Sequence, residues 1–289
     1  MATIYLSNKE LLREIHKSKN TFCSYTSPED SNYDLILPSL DKINVRTLKQ
    51  AREARADRLS ALLKEKDKKS EPVNPKTITN QDIVIRITTF EHIPLAPGRK
   101  KSPKFNADHY AKLNFPPFQH YRINSETKPY CVGKSHWKGD IDTGHFCIDK
   151  GHITDTLARM FMKLCERYSM RSNWRGYTYV DEMRSQALLQ LTMIGLQFDE
   201  SKSQNPFAYY TAAITNSFTR ILNIEKKNQV IRDDLLIDSG QLPSYTRQLE
   251  YEALMSQERE RNNALRDAEA LAEEVADADA EPVTGEVND

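Results

Sequence analysis

The sequence predicts a mainly α-helical chain: a helical bundle, an inserted loop-rich α+β segment, and a C-terminal acidic helix and tail. Three observations predict it. Apolar residues recur at helical spacing between residues 154 and 227, in pieces joined by short links. Most of the histidines, with many prolines and glycines, gather between a β-branched run at residues 82–90 and residue 150. From Glu250 onward, acidic residues far outnumber the three arginines Arg259, Arg261 and Arg266.

Taken in order, "SNKELLREIHKSK" (7–19) predicts a short amphipathic helix capped by Ser7 or Asn8, with Leu11, Leu12 and Ile15 as its apolar stripe. Residues 44–70 predict a longer helix, in which Leu48, Ala51, Arg55, Leu59 and Leu62 follow three-to-four spacing before the turn-forming "SEPVNP". "DIVIRITTF" (82–90) sets Ile83, Ile85 and Ile87 against Asp82, Val84 and Arg86, the best strand signal in the chain. The region to residue 150 reads as loop-rich with a few short strands. Helices follow over 155–168, 179–198 and 205–227, linked by "SMRSNWRGYT" and "DESKSQ". After the polar "SGQLPSY" (239–245) the composition is helical again, and the last dozen or so residues read as a disordered acidic tail.

Length bounds the chain of 289 residues to one or two domains. Lys and Arg total 41 and Asp and Glu total 41, so the net charge is zero and local charge decides what the surface binds. A mean hydropathy of −0.68 and the lack of any apolar run near the roughly 18–20 residues a bilayer needs exclude a membrane-spanning class. The expected location is cytoplasmic, with Cys23, Cys131, Cys147 and Cys165 as reduced thiols rather than a disulfide framework.

Two helices carry the functional signal. In 179–198 the stripe is Val180, Met183, Ala187, Leu191, Ile194 and Phe198, and Glu182, Ser185, Gln186 and Gln190 lie off it. By spacing alone those four form an ordinary solvated face. In "NPFAYYTAAITNSFTRI" (205–221), Asn205 and Pro206 are a helix-entry pair, and Phe207, Tyr210, Ile214, Ser217, Ile221 and Ile224 are the expected inward stripe. A second face carries Tyr209, Asn216, Thr219, Arg220 and Asn223, and ends in the basic pair Lys226 and Lys227. Asn can pair bidentately with a base edge, Thr reaches bases or phosphate, Arg and Lys neutralise phosphates, and an exposed Tyr stacks on an unpaired base. A tyrosine packed at a helix seam beside an idle polar face fits the same spacing.

With "GYT", "EM", "FDE", "NPFAY" and "EKK" in this order across residues 174–227, and "NKELLREI" near the start, the chain resembles the late-transcription sigma factors of T4-like bacteriophages. The helix pair is more distantly similar to the second conserved region of bacterial sigma factors. The resemblance implies a sigma region-2-like bundle over 151–230, joined by a helix at 1–20, with 21–150 inserted and 231–289 as linker, helix and tail. It implies that the chain is not an enzyme, and that it directs host RNA polymerase core to short A·T-rich late promoters in the infected cell. Glu182, Ser185, Gln186 and Gln190 would dock on the coiled coil of the largest catalytic subunit. Tyr209 would hold an extruded adenine, and Asn216 and Thr219 would read the neighbouring pair of the promoter DNA. A phage coactivator and the sliding clamp are further partners the family implies, although "EVADADAEPVTGEVND" has no aromatic or leucine anchor for a clamp contact. Ala212 and Ala213 stand where housekeeping members carry a tryptophan pair.

Within the insert, Cys131, His136, His145 and Cys147 form a C-x4-H-x8-H-x-C set. Two thiols and two imidazoles suit tetrahedral zinc, but this spacing matches no standard finger, and scattered structural His and Cys are the favoured reading. The expectation is therefore no cofactor, with zinc as the one candidate. "RKKSPKFNADHYAKLNFPPFQHY" (99–121) mixes cations with aromatics, as a single-strand path or as a locally packed loop. A nuclease built on Asp140, Asp142, His136 and His145 has no recognisable catalytic spacing. The alternative to a sigma factor is a structural or zinc-stabilised nucleic-acid-binding protein that never meets polymerase.

Overall fold

Ser7 opens helix α1 (Asn8–Thr21) by accepting the Glu10 N–H at 3.2 Å, and Leu11 and Ile15 are fully buried beneath it. The computed structural model describes residues 6–66, 71–99, 109, 111–124 and 128–278. It is a mixed α+β architecture, 57 % helical, with six helices and a five-stranded sheet. The segment expected as loop-rich thus carries more order than its sequence declares.

Helix α2 (Val45–Lys66) begins after Asn44, whose side chain accepts the Thr47 N–H at 2.9 Å. Its Ala51 and Ala56 are buried against Ile83, Ile85, Ile87 and Leu37, with Leu48 and Leu59 partly covered. Leu62, expected on that stripe, is exposed. The sheet runs β1 (Cys23–Tyr25), β5 (Pro129–Ser135), β4 (Phe118–Ile123), β3 (Ile85–Thr88), β2 (Leu35–Leu37). Among the described strands only β2 and β3 pair in parallel; Leu35 faces Ile85 in register. A small ribbon, β6 (Trp137–Lys138) with β7 (His145–Phe146), follows. The alternation in β3 does not divide core from solvent, because Val84 and Arg86 are as buried as Ile85. Both faces of that strand are covered.

Helices α3 (Asp155–Ser169), α4 (Val180–Ile194) and α5 (Pro206–Asp238) follow, and α6 (Tyr245–Ala278) ends the described chain. Thr154 caps α3 on the Leu157 N–H at 3.4 Å. The expected helix 179–198 stops at Ile194 and passes into a 3-10 turn over Gly195–Gln197. At that turn the Phe161 ring leaves no room for a side chain, since a Cβ on Gly195 would lie 2.6 Å from it. Tyr210, fully buried, donates its hydroxyl to the Gly195 carbonyl at 2.7 Å and meets the Phe161 ring edge-on at 5.0 Å.

Residues 1–221 form one compact unit, which includes both the sheet and the helices through most of the candidate site; the second unit begins at Leu222. In the second unit the turn before α6 is held by Asp233, which accepts from the Ser244 N–H at 2.8 Å and hydroxyl at 2.7 Å. Helix α5 outruns its expected end near residue 227 by about three turns. Tail residues 279–289 lie outside the described residues, as do 100–108 and 110 of the basic-aromatic stretch.

A buried ionic cluster joins α1, the sheet and the α4–α5 connection. Glu200 Oε2 lies 3.1 Å from Lys19 Nζ and 3.3 Å from Arg86 Nη1, and both cations are 2 % exposed. Lys19 also donates to the Phe198 carbonyl at 2.7 Å. The Arg86 guanidinium is held between the Tyr33 and Phe118 rings, 3.9 and 3.8 Å from their centres. It donates from Nε to His120 Nε2 at 3.0 Å, and its Nη2 meets His16 Nδ1 at 3.2 Å. Burial, with the Arg86 charge next, holds both imidazoles well below their ordinary range, so both are neutral acceptors.

Candidate nucleic-acid interface

Asn205 Oδ1 accepts the Ala208 N–H at 3.0 Å, and Asn8 Oδ1 accepts the Phe207 N–H at 3.1 Å, so α5 starts at a point fixed by its own cap and by α1. From there Tyr210, Ile214, Phe218 and Ile221 turn into the core. The expected stripe is corrected by this phase. Phe207 and Ile224 are exposed, Ser217 is half-buried, and the fully buried Phe218 replaces Ser217 as the anchor. Pro206 is itself buried, so the buried positions run Pro206, Tyr210, Ile214, Phe218 and Ile221.

That phase leaves an open groove of about 560 Å³ between α4 and α5. Gln186, Leu189, Gln190 and Met193 line its α4 wall. Tyr209, Asn216 and Arg220 line the α5 wall, where the small Ala212 and Ala213 leave the space. Gln186 and Asn216 are exposed, while Gln190 and Tyr209 are half-buried. The Tyr209 ring stands edge-on to Phe198 and Tyr210, 5.5 Å from each, and burial raises its hydroxyl above the ordinary phenol value. A ring braced on two sides with part of its face open is pre-positioned for stacking.

The residues predicted for two separate duties are thus partly brought together. Gln186 and Gln190 share the groove with Tyr209, Asn216 and Arg220. Glu182 and Ser185 are exposed outside it: Glu182 Oε1 accepts from Gln186 Nε2 at 3.1 Å, and the Ser185 hydroxyl donates to the Asp181 carbonyl at 2.9 Å. Ser185 instead borders a smaller hollow of about 210 Å³ with Met162, Leu188 and Arg184. Thr219 is exposed. Asn223, Lys226 and Lys227 are also exposed and belong to the second unit. Sequence reasoning missed Leu189 and Met193, which are 55 % and 59 % exposed on α4. Two large apolar residues off the buried stripe were the available signal.

The four metal candidates do not converge. His136, fully buried with φ 52°, packs against Phe115 at 4.2 Å, and its Nε2 has no partner. Burial pushes its imidazole down to about 3. Cys131 is half-buried with its thiol near the Gly133 carbonyl, Cys147 is half-buried, and His145 is exposed. Among the described residues no group of three or more His, Cys, Asp or Glu side chains is placed to hold a metal ion. Nor is any helix among them long and apolar enough to cross a membrane.

No protein-family model, no curated protein and no solved structure matches the chain.

Proposed function

We propose that the chain is a late sigma factor of the T4-like bacteriophage type, a non-catalytic subunit that binds bacterial RNA polymerase core and directs it to short A·T-rich promoters. The observation that carries this reading is the α4–α5 groove. One wall offers a braced aromatic, Tyr209, with an amide, Asn216, and a guanidinium, Arg220, beside it. Stacking an unpaired base on such a ring is worth roughly 1–3 kcal/mol, comparable with opening one weak A·T step, so capture helps nucleate the bubble. Ala212 and Ala213 keep the groove open where a tryptophan pair would fill it.

Helix α4 supplies the polymerase contact. Glu182, Ser185 and Gln186 are exposed beside the apolar Leu189 and Met193, and protein interfaces combine an apolar centre with a polar rim in this way. Further along α5, Lys226 and Lys227 add phosphate-neutralising charges and Asn223 a neutral hydrogen-bond donor. The experiment is transcription from a supercoiled A·T-rich template by purified bacterial core polymerase with and without this chain, paired with core pull-down. Glu182→Lys combined with Gln186→Ala is expected to lose the complex while leaving the fold intact. No complex with the unmodified chain, or one indifferent to that double change, removes the polymerase half of the reading and leaves a nucleic-acid-binding protein.

A further inference from the structure

The link between α3 and α4 carries chemistry that the groove does not use. Between Glu166 and Asp181 the chain holds Arg167, in the last turn of α3, with Arg171 and Arg175 in the link itself, and no Asp or Glu. All three are exposed, and among the described residues none has a carboxylate partner, whereas Arg184 just beyond pairs with Asp181 at 3.1 Å. Without a carboxylate beside them, these guanidinium groups leave the local surface positive.

Beside them runs a ladder of rings. Phe218 of α5 anchors Trp174 at 5.4 Å; Trp174 meets Tyr168 at 6.2 Å and Tyr177 at 6.3 Å; Tyr177 meets Tyr179 at 5.2 Å. Trp174 is 8 % exposed, with its Nε1 buried and unpartnered, while Tyr177 and Tyr179 are half-buried. Arg171 lies over the Tyr168 ring at 4.3 Å. Gly176 sits between Arg175 and Tyr177 although the fold does not require it there: it is exposed, and an added Cβ would touch nothing. A glycine without a packing role leaves the backbone open to close approach.

We propose that this link is a second nucleic-acid contact, one that takes a single strand, with Arg167, Arg171 and Arg175 on its phosphates and the Tyr177–Tyr179 rings beneath unpaired bases. Cations alone would suit any acidic partner; half-open aromatic faces interleaved with them fit bases. The surface stands on residues separate from the groove and goes beyond the promoter reading.

The test is fluorescence anisotropy of the full chain with labelled oligo-dT and mixed-sequence strands of roughly a dozen nucleotides, a length within the usual single-strand site sizes. Trp137→Phe leaves Trp174 as the sole tryptophan and adds quenching as a second readout. Arg171→Gln with Arg175→Gln is expected to weaken binding about tenfold at moderate salt and to lower the salt slope by about 1.4, at roughly 0.7 per phosphate contact. Tyr177→Leu is expected to weaken it a further 5-fold or more, in line with base–aromatic stacking. Gly176→Ala should leave the melting temperature unchanged and reduce affinity. Equal affinity and slope in the arginine and tyrosine variants overturns the proposal, as does equal competition by poly-glutamate. Single-strand binding lost in Asn216→Ala but kept in the link variants also overturns it. If the link variants lose the strand while core polymerase never binds the chain, the promoter reading fails and this contact stands.

Discussion

Glu200→Gln is the sharpest single test of how the helices are tied to the sheet. The carboxylate is 8 % exposed and is shared by two cations, Lys19 at 3.1 Å and Arg86 at 3.3 Å. At an effective dielectric near 20, each contact is worth about 5 kcal/mol of Coulomb attraction before desolvation is charged against it. The amide keeps the shape and one acceptor but strands two buried cations, a loss of roughly 3–5 kcal/mol. In a unit of this size that lowers the melting temperature by roughly 6–20 °C. The pH dependence has a definite sign. Burial holds the Lys19 ammonium below its ordinary value, with Glu200 opposing and Arg86 assisting. A base depressed in the folded state gives stability that rises as pH climbs from its folded value towards 10.5. Without Glu200 that value falls further, so the deficit is greatest near neutrality and shrinks on the alkaline side. Urea and thermal unfolding across pH measure it. Lys19→Met added to Glu200→Gln should recover at least about 1 kcal/mol, a coupling that contacting residues show in double-mutant cycles. A deficit below about 1 kcal/mol, the range of hydrated pairs, refutes the buried cluster.

The other predictions concern the groove, the basic end of α5 and the histidines. Asn216→Ala and Thr219→Ala are expected to relax promoter preference by roughly 1–3 kcal/mol per base pair read, whereas Lys227→Ala should weaken DNA binding evenly across sequences and lower its salt slope by about 0.9. Competition binding at several salt concentrations separates the two behaviours. Tyr209→Ala should slow open-complex formation on duplex promoters and spare premelted templates; equal loss on both means the ring only packs against Phe198. Burial sets His136 at about 3 and His92 at about 4, against 6.5 unfolded, and these two rings join the buried His16 and His120 in shaping the acid limb. The contribution of these rings is full above about 6.5 and is lost as pH falls towards those folded values, because the unfolded chain takes up the protons. His136→Phe, filling the same apolar site, should flatten that limb in denaturant titrations; an unchanged limb shows that the ring is not held neutral.

What the sequence determined by itself is local. Caps at Ser7 or Asn8 and at Asn205 placed two helix starts, and the structure uses Ser7 and Asn205, because a side-chain oxygen three residues from an unsatisfied N–H is a short-range device. Three-to-four spacing placed Met183, Ala187 and Leu191 inside and Gln186 and Asn216 outside, since one helix turn repeats without knowledge of its neighbours. Tertiary structure decided the rest. Strands as short as β1 and β2 carry no periodic signal of their own; Cys23 finds Ser135, and Leu35 finds Ile85, only when the chain closes. The phase of α5 depended on which ring, Phe218 rather than Phe207, met Tyr168 and Trp174. Glu200 reads in sequence as one more surface acid, and becomes a buried counter-ion because Lys19 and Arg86, 181 and 114 positions away, arrive in the same desolvated space. Periodicity is a property of one element; burial, charge pairing and grooves are properties of several elements meeting, and no local pattern encodes which ones meet.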